Sequence, residues 1–199
     1  NGVIDLGLLY PLLAIPIGMV GATTTYNFLA GFNGLEAGQG VLMLTALSLV
    51  AYFTGANWLA VIGFCMVAAL LAFFFSNKYP ARVFPGDTMT YAIGGLIASM
   101  AILGNFERIA VFFFIPYILE TGLKLRGSLR KESFGVPQSD GTLSLKYPKL
   151  YSLTHLALHL LPKLGFRPTE KNVVHLIWAF QLIIIIIGFM IFREGIFLT

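Results

Sequence analysis

The sequence predicts an all-α polytopic membrane protein, with about six transmembrane helices and a cytoplasmic segment that holds a small β-hairpin and an interfacial helix. Hydrophobic residues make up 57% of the 199 residues and charged residues only 11%, whereas ordinary soluble domains carry roughly 25% charged residues. The apolar residues gather into six runs, and a helix needs roughly 20 apolar residues to cross a bilayer. We therefore exclude a soluble globular domain and expect a single membrane domain over residues 1–199.

The candidate spans follow the apolar runs in order. Pro11, Pro16 and Pro116 fall inside spans, where kinks are tolerated because neighbouring helices and waters satisfy the freed carbonyls. The second and fifth runs are short, so we expect both to extend into their flanks. The predicted spans are residues 6–28, 41–53, 58–75, 91–103, 109–123 and 173–192.

The basic residues fall almost entirely on one side of the membrane when the connections alternate between sides. Eleven of the thirteen Lys and Arg side chains lie on that side, and only Arg108 and Arg193 lie on the other. The positive-inside rule identifies the first side as cytoplasmic. Membrane topology thus explains the net charge of +4, and no nucleic-acid partner is expected.

Residues 124–172 are expected to form a cytoplasmic insertion between the last two spans. Within them, Asp140-Gly141 is a dipeptide suited to a tight hairpin turn with positive φ. The flanking residues 136–139 and 142–146 would then pair as two short strands. The insertion is therefore predicted to contain a small β-hairpin.

A helix is predicted over residues 151–163, later in the same insertion. Polar residues that include His155 and His159 repeat there at helical spacing opposite a leucine-rich face, a pattern typical of helices that lie in the membrane surface. The two histidines are four residues apart but lack the HExxH pattern of a zinc site. We expect both of them in the solvated polar stripe of this helix.

A glycine-rich motif, NFLAGFNGLEAGQG, occupies residues 27–40 at the cytoplasmic end of the first span. Its four glycines let backbone N–H groups approach a ligand closely, and Asn27, Asn33 and Glu36 offer oxygen ligands and hydrogen-bonding groups. On these residues alone two interpretations remain open. The motif is either a ligand-binding loop or a glycine-rich turn in which Asn27 ends the first helix, and Glu36 either contacts the ligand or only orders the loop.

A second motif, YPARVFPGDT, occupies residues 79–88 just before the fourth span. Asp87 either caps the N-terminus of that helix or holds Mg²⁺, which takes few protein carboxylates and completes its coordination with waters and phosphates. Phe84 either stacks on a flat ligand or anchors the loop at the membrane interface. Arg82, the cation within the motif, is a further candidate.

Together the two motifs resemble those of the polyprenyl-phosphate N-acetylhexosamine-1-phosphate transferases, glycosyltransferase family 4, and are most similar to the eukaryotic and archaeal branch that uses dolichyl phosphate. The resemblance covers essentially the whole sequence, which matches the C-terminal part of a longer transferase. It implies transfer of a sugar-1-phosphate, with GlcNAc-1-phosphate favoured, from a UDP-sugar to a polyprenyl or dolichyl phosphate, with release of UMP. The reaction would serve glycan or cell-envelope assembly at the cytoplasmic face of a prokaryotic cell membrane or of the endoplasmic reticulum.

The resemblance also implies roles for individual residues by their positions in the motifs, with Mg²⁺, or alternatively Mn²⁺, as the cofactor. The roles are metal ligands at Asn27 and Asp87, uracil contacts at Gly31 and Asn33, a stacking ring at Phe84, and sugar-diphosphate contacts at Arg130 and Lys131. Relatives place a more fully basic cluster where Glu132 follows these two cations, so the exact sugar stays open. A homodimer is a possible assembly.

No adjacent aspartate pair occurs in this sequence, whereas members of the family carry one in an earlier cytoplasmic loop, where it is assigned to catalysis. We expect that pair upstream of Asn1, with residues 1–5 forming an outer loop that leads into a middle helix. The present chain alone is then expected to be inactive. Two alternatives are a small membrane transporter and a catalytically silent member of the family.

Overall fold

The computed structural model describes residues 7–197; the expected outer loop over residues 1–5 lies outside this range. Almost every described element is helical, and the predicted fold class is confirmed. The elements are a π-helical turn Tyr10–Ala14, α1 Ile15–Phe28, α2 Leu35–Phe53, α3 Asn57–Asn77, α4 Gly86–Leu103, α5 Glu107–Phe113, α6 Ile115–Arg126, β1 Val136–Pro137, β2 Leu143–Ser144, α7 Leu153–Lys163, α8 Glu170–Ile191 and α9 Arg193–Phe197.

Four of the described helices, α2, α3, α4 and α8, are long and apolar enough to cross a membrane. The other two predicted spans are helical but divided. The first combines the π-helical turn with α1, and the fifth breaks at Phe114 between α5 and α6. The second span begins at Leu35, earlier than predicted, so its expected extension is confirmed.

Helix α8 begins at Glu170, three residues before the predicted start of the sixth span. Thr169 is the N-cap residue: its backbone is extended, and its hydroxyl oxygen accepts a hydrogen bond from the backbone N–H of Asn172 at 3.4 Å. This capping satisfies one of the N–H groups that a helix start leaves without an internal partner. Polar residues thereby join the helix ahead of its apolar part.

The break between α5 and α6 leaves a backbone carbonyl inside the apolar core. Pro116 has no N–H, and the N–H of Tyr117 bonds to the carbonyl of Phe114 instead of Phe113. The carbonyl oxygen of Phe113 accepts a hydrogen bond at 2.9 Å from the side-chain amide of Gln181 on α8. A polar residue in a membrane helix thus replaces a bond that the kink removes.

Helices α1 and α4 pack backbone against backbone. A β-carbon at Gly94 would lie 2.7 Å from both the carbonyl oxygen of Ala22 and the Cα of Thr23. Since no side chain fits in that space, glycine sets the distance between the two helices. This contact lies two turns from the α4 end that carries Asp87.

The connections between helices gather at two opposite ends of the bundle. At one end the α1–α2 loop contacts the α3–α4 loop through a hydrogen bond from the N–H of Ala81 to Asn33 Oδ1 at 2.6 Å. At the other end α9 packs near the end of α2, where the rings of Phe53 and Phe197 are 4.8 Å apart. Both sequence motifs therefore lie at the first end, as the alternation of spans predicts.

The segment between α6 and α8 contains the predicted hairpin. Val136 pairs with Ser144 and Pro137 with Leu143, so the strands are shorter than expected. The turn is wider than a two-residue turn, since the N–H of Gln138 bonds to the carbonyl of Thr142. Within this turn only Gly141 has a positive φ, at 78°.

In helix α7 the predicted solvated polar stripe is wrong for one of its two histidines. His155 is fully buried, with Nδ1 accepting from the N–H of Tyr151 at 3.3 Å and Nε2 lying 3.4 Å from the carbonyl oxygen of Phe134. The chain that precedes the helix folds back over this side and covers it. His159 is exposed as expected.

Candidate functional site

The ends of α1 and α4 bring Asn27 and Asp87 together through Thr90. The hydroxyl of Thr90 donates to Asn27 Oδ1 at 2.9 Å and lies 3.1 Å from the backbone carbonyl oxygen of Asp87. Asn27 Nδ2 in turn lies 3.5 Å from the hydroxyl of Tyr91. The amide of Asn27 is therefore oriented with its oxygen toward the start of α4.

Asp87 does not cap α4 in the way the sequence allowed. The helix begins at Gly86, the N-cap residue is Pro85, and no side chain makes a cap hydrogen bond. Asp87 instead lies exposed in the first turn, where a carboxylate is stabilised by the positive end of the helix dipole. Its carboxylate therefore has no capping role.

The donor atoms at this position suit Mg²⁺. Asn27 and Asp87 supply one amide oxygen and one carboxylate, and Mg²⁺ binds through few protein oxygens with waters and phosphates completing its octahedron. Over residues 7–197 no group of three or more His, Cys, Asp or Glu side chains could hold a metal ion.

The α1–α2 loop is held by a buried carboxylate at its far end. Glu36, 3% exposed, accepts a hydrogen bond from the backbone N–H of Gly31, and the hydroxyl of Tyr26 donates to the Glu36 carbonyl at 2.6 Å. The second carboxylate oxygen of Glu36 is buried without a hydrogen-bond partner in the structure. Glu36 therefore orders the loop, which is one of the two roles that the sequence left open for it.

Gly31 lies directly beneath the ring of Phe134, which belongs to the segment between α6 and α8. Its φ is +114°, and a β-carbon there would lie 2.6 Å from the ring. The ring of Phe134 also stacks on Phe32, with centroids 5.9 Å apart. The segment between α6 and α8, residues 127–169, thus lies on the glycine-rich loop, and we call it the lid.

Asn33 connects three parts of the chain. Its backbone N–H donates to Glu170 Oε1 at 2.7 Å and its side-chain Nδ2 donates to the same oxygen. Its side-chain oxygen accepts from the N–H of Ala81 at 2.6 Å. The residue expected to contact uracil is therefore held between the α3–α4 loop and the first turn of α8.

The α3–α4 loop is fixed by the end of α3 and presents Phe84 outward. The backbone N–H of Arg82 donates to the carbonyl of Ser76 at 2.8 Å, and the buried side chain of Asn77 donates to the carbonyl of Val83 at 3.0 Å. Phe84 is 53% exposed, and the side chain of Arg82 is exposed as well. Both side chains are available to a ligand that approaches this end.

Arg130 and Lys131 follow a strained turn at the end of α6. Ser128 and Leu129 have φ values of 55° and 58°, a region that costs L-residues roughly 1–2 kcal/mol each. The ammonium group of Lys131 lies 5.0 Å from the ring centroid of Tyr147. The turn therefore delivers two exposed cations at the base of the lid.

Both acidic residues of the lid are held in ion pairs with basic residues other than Arg130 and Lys131. Glu132, which interrupts the basic cluster, pairs with Lys146 at 2.5 Å, and Asp140 in the hairpin turn pairs with Arg167 at 3.2 Å. The Lys146 ammonium lowers the pKa of the exposed Glu132 carboxyl. Glu132 is thus matched within the lid and does not cancel Arg130 or Lys131 by a direct pair.

A buried carboxylate on α6 anchors the lid from below. Glu120, fully buried, accepts from the hydroxyl of Ser152 at 2.9 Å and from the backbone N–H of Leu153 at 2.6 Å. Lys124 lies 4.0 Å from the same carboxylate. The start of α7 is therefore tied to the end of the fifth predicted span.

Two cavities open near these groups. A polar cavity of about 410 Å³ lies between the hairpin and the first turn of α8, with Tyr79, Thr142, Glu170 and Lys171 in its wall. The ammonium of Lys171 is 4.7 Å from the ring centroid of Tyr79. The second is an apolar groove of about 300 Å³ that runs between α1, α4, α5 and α6. Its lining residues include Ala22, Thr25, Ala98 and Ile118.

Sequence reasoning placed both motifs correctly at one end of the bundle but missed Glu170. The residue precedes the apolar run of the last span, and its contact with Asn33 crosses 137 residues of chain. A local signal was present, because Thr169 and Glu170 form a helix-start pattern of N-cap residue and first-turn acid. That pattern gives the helix boundary, not the partner of the carboxylate.

Comparison with known proteins matches residues 1–105 to the family described as glycosyl transferase family 4. The chain is 36% identical over 189 residues to a Saccharolobus solfataricus protein with the provisional name UDP-N-acetylglucosamine–dolichyl-phosphate N-acetylglucosaminephosphotransferase, covering 94% of this chain and 57% of that protein. A Sulfolobus acidocaldarius protein of the same provisional name is 30% identical over 94% of this chain and 56% of its own length.

A bacterial relative covers less of the chain. The phospho-N-acetylmuramoyl-pentapeptide-transferase of Clostridium perfringens strain SM101 is 40% identical over 124 residues, which are 61% of this chain and 37% of that enzyme. The chain spans about half the length of the archaeal relatives and less of the bacterial one. The match therefore concerns part of each relative.

Proposed function

The chain belongs to glycosyl transferase family 4, and from this membership we propose that it is part of an enzyme that transfers a sugar-1-phosphate from a UDP-sugar to a polyprenyl or dolichyl phosphate. GlcNAc-1-phosphate is the favoured group, as in the names of the archaeal relatives. An oxygen of the lipid phosphate bonds to the sugar-bearing phosphorus while the bond to UMP breaks. The observation that carries the proposal is the joining of Asn27 and Asp87 through Thr90 beside the glycine-rich loop.

In this proposal Asn27 and Asp87 would hold Mg²⁺, or Mn²⁺, which supplies positive charge to the diphosphate of the UDP-sugar. Phosphoryl transfer depends chiefly on positioning and charge stabilisation. Thr90 keeps the amide oxygen of Asn27 directed toward the start of α4. The chain's own contribution is therefore an oriented amide oxygen from Asn27 together with the exposed carboxylate in the first turn of α4.

The nucleotide would bind against the two loops. The exposed ring of Phe84 is available to stack on uracil, and Asn33 lies where three segments meet. Gly31 contributes by having no side chain beneath Phe134. The base would thus be read by groups whose positions are set by the α1–α2 and α3–α4 loops.

Arg130 and Lys131 would approach the diphosphate from the lid. Guanidinium and ammonium groups bind phosphate oxygens by charge-assisted hydrogen bonds, and arginine does so in two-pronged geometry. Their location beside the turn at Ser128 and Leu129 places them at the base of the segment that covers Gly31. The lid would therefore complete the charge around the substrate after it binds.

The lipid acceptor would use the apolar groove between α1, α4, α5 and α6. One part of the groove is lined by Thr25, one turn or less from Asn27, and another by Ile102 at the opposite end of α4. A groove that runs along the helices in this way suits an isoprenoid chain whose phosphate lies near Asn27. The water-soluble donor and the membrane-bound acceptor would then meet at one interface.

The proposed site faces the cytoplasm, on the basis of the distribution of basic residues. Single-cysteine labelling in sealed vesicles tests this orientation, after Cys65 is replaced by serine. A membrane-impermeant reagent on the cytoplasmic side should label position 131 and not position 105. Labelling of position 105 alone would show that the protein has the opposite orientation in the membrane.

Turnover by the full-length protein tests the reaction. With labelled UDP-GlcNAc, polyprenyl phosphate and Mg²⁺ we expect UMP and a lipid-linked sugar diphosphate. Asp87→Asn should lower turnover by about 10²-fold or more, since one charge-stabilising group is lost. Glu194→Gln, a first-turn carboxylate of α9 outside the site, is the matched control and should leave turnover unchanged.

Two results would contradict parts of this proposal. Binding of UDP-GlcNAc by the wild-type protein without product would identify a catalytically silent family member. Near-normal turnover of the Asp87→Asn variant would show that Asp87 is not a metal ligand. Family membership already argues against the transporter alternative.

A further inference from the structure

The first turn of α8 carries a carboxylate that contacts the proposed nucleotide loop. Glu170 Oε1 accepts two hydrogen bonds from Asn33, one from the backbone N–H at 2.7 Å and one from Nδ2. Glu170 is half-buried and also borders the polar cavity beneath the hairpin. None of the motifs that indicated the family includes this residue.

The hydrogen bonds of Asn33 leave its amide partly unused. A carboxamide has two N–H donors and two oxygen lone pairs. Glu170 takes one donor of Nδ2, and the N–H of Ala81 takes one lone pair of Oδ1. One donor and one acceptor position therefore remain for a ligand.

The same two partners also determine which way the amide points. A rotation of 180° about the Cβ–Cγ bond would place Oδ1 against the Glu170 carboxylate and the NH₂ group against the N–H of Ala81. Both new contacts would be repulsive, because like partial charges would face each other. The orientation is therefore fixed by residues outside the glycine-rich loop.

We propose that Glu170 is a positioning residue that fixes the carboxamide of Asn33, so that its remaining donor and acceptor select uracil over cytosine. Uracil presents a carbonyl acceptor at ring position 4 and an N–H donor at position 3. Cytosine presents the reverse order, with an amino donor at position 4 and a ring-nitrogen acceptor at position 3. An amide of fixed orientation matches the first pattern, and a freely rotating amide accepts both. This inference rests on the proposed function, because it assumes that Asn33 contacts the base.

The test measures binding of UMP and CMP to the full-length protein by calorimetry, so it does not depend on turnover. Wild-type protein should prefer UMP. Glu170→Ala should reduce the UMP-to-CMP preference by about tenfold, the effect of losing one oriented hydrogen bond. Glu170→Gln keeps a carbonyl oxygen as acceptor and should retain most of the preference, while Glu194→Ala, the same change outside the site, should retain all of it.

The outcomes separate the positioning role from a structural one and from the proposed function. Loss of affinity for UMP and CMP by the same factor in Glu170→Ala, with the preference intact, would overturn the positioning role alone. Failure of wild-type protein to bind UMP would overturn the proposed function. If Glu170→Ala does not fold, Glu170→Met, of similar length but with no carbonyl acceptor, takes its place against Glu170→Gln.

Discussion

The side-chain oxygen of Asn27 lies 2.9 Å from the hydroxyl of Thr90, across the interface of α1 and α4. Thr90 belongs to the helix whose first turn holds Asp87, and its hydroxyl is also 3.1 Å from the Asp87 carbonyl. One buried hydroxyl therefore links the two proposed metal ligands, which are far apart in sequence. The geometry of that pair depends on a residue that is not itself proposed as a ligand.

Replacing Thr90 should affect metal use before it affects substrate binding. Thr90→Val keeps the shape but removes the hydroxyl, so Asn27 Oδ1 loses its hydrogen bond. We expect the Mg²⁺ concentration for half-maximal turnover to rise by up to about tenfold, with Thr90→Ser close to wild type. An identical Mg²⁺ dependence in all three proteins would show that Thr90 only packs the helices.

Replacing Phe84 should weaken nucleotide binding without changing the metal requirement. Phe84→Ala removes the exposed ring and should cost about 1 kcal/mol of UMP binding through lost stacking. Phe84→Tyr keeps an aromatic face and should bind UMP nearly as well as wild type. Calorimetry on the full-length protein measures both, and equal losses for Ala and Tyr would argue against stacking.

Replacing Arg130 should show whether this residue binds the substrate diphosphate or only helps to set the orientation of the protein in the membrane. Arg130→Ala should raise the KM for the UDP-sugar and lower kcat, for a combined loss of about 10-fold or more in kcat/KM, because charged hydrogen bonds contribute roughly 1.5–3 kcal/mol. His159→Ala, on the exposed face of α7, is the control in steady-state kinetics. Unchanged kinetics for Arg130→Ala would leave that residue only a topological role. His155 does not serve as a second control, since it is buried.

Replacing Glu120 should loosen the lid. Glu120→Ala leaves the hydroxyl of Ser152 and the N–H of Leu153 without their buried acceptor, at a cost of about 1–3 kcal/mol. Hydrogen exchange at the Leu153 amide should accelerate accordingly. Glu132→Ala removes an exposed carboxylate from the same segment and should leave that exchange rate nearly unchanged; equal acceleration in both variants would mean that Glu120 is no special anchor.

Acidification should also loosen the lid, through His155. Burial lowers the pKa of His155 below its ordinary value of 6.5, and the nearby Lys124 lowers it further. The folded lid therefore binds this proton more weakly than an opened lid does. The stabilisation is complete above pH 6.5 and is lost as the pH falls from 6.5 through the lowered pKa.

The two exposed carboxylates of the lid do not account for such a change. Glu132 and Asp140 have lowered pKa values, so both stay ionised as the pH falls from 6.5. Limited proteolysis of the lid at pH 7.5, 6.5 and 5.5 should show faster cleavage toward the acidic end. A His155→Gln variant should lose most of that pH dependence, and a wild-type lid equally resistant at all three values would contradict the assignment.

The sequence predicted the features that local patterns determine. Apolar runs located the helices, Asp140-Gly141 located the hairpin, and alternation of spans placed Asn27, Asn33 and Asp87 at one end of the bundle. It could not give the partners of Asn33 or the burial of His155. Helical spacing shows which residues share a face, but it does not show that the chain before the helix folds back over that face.

The backbone contact at Gly94 has a consequence for the turnover cycle. Because α1 and α4 touch without intervening side chains, and close-packed interfaces of this kind do not deform gradually, we expect the two helices to behave as one rigid body. The ends that carry Asn27 and Asp87 would then keep their spacing whether or not substrate is present. Opening for substrate entry and for departure of UMP would fall to the lid, so its rate of release from Gly31 and Phe32, and not a motion within the bilayer, would limit how fast product leaves.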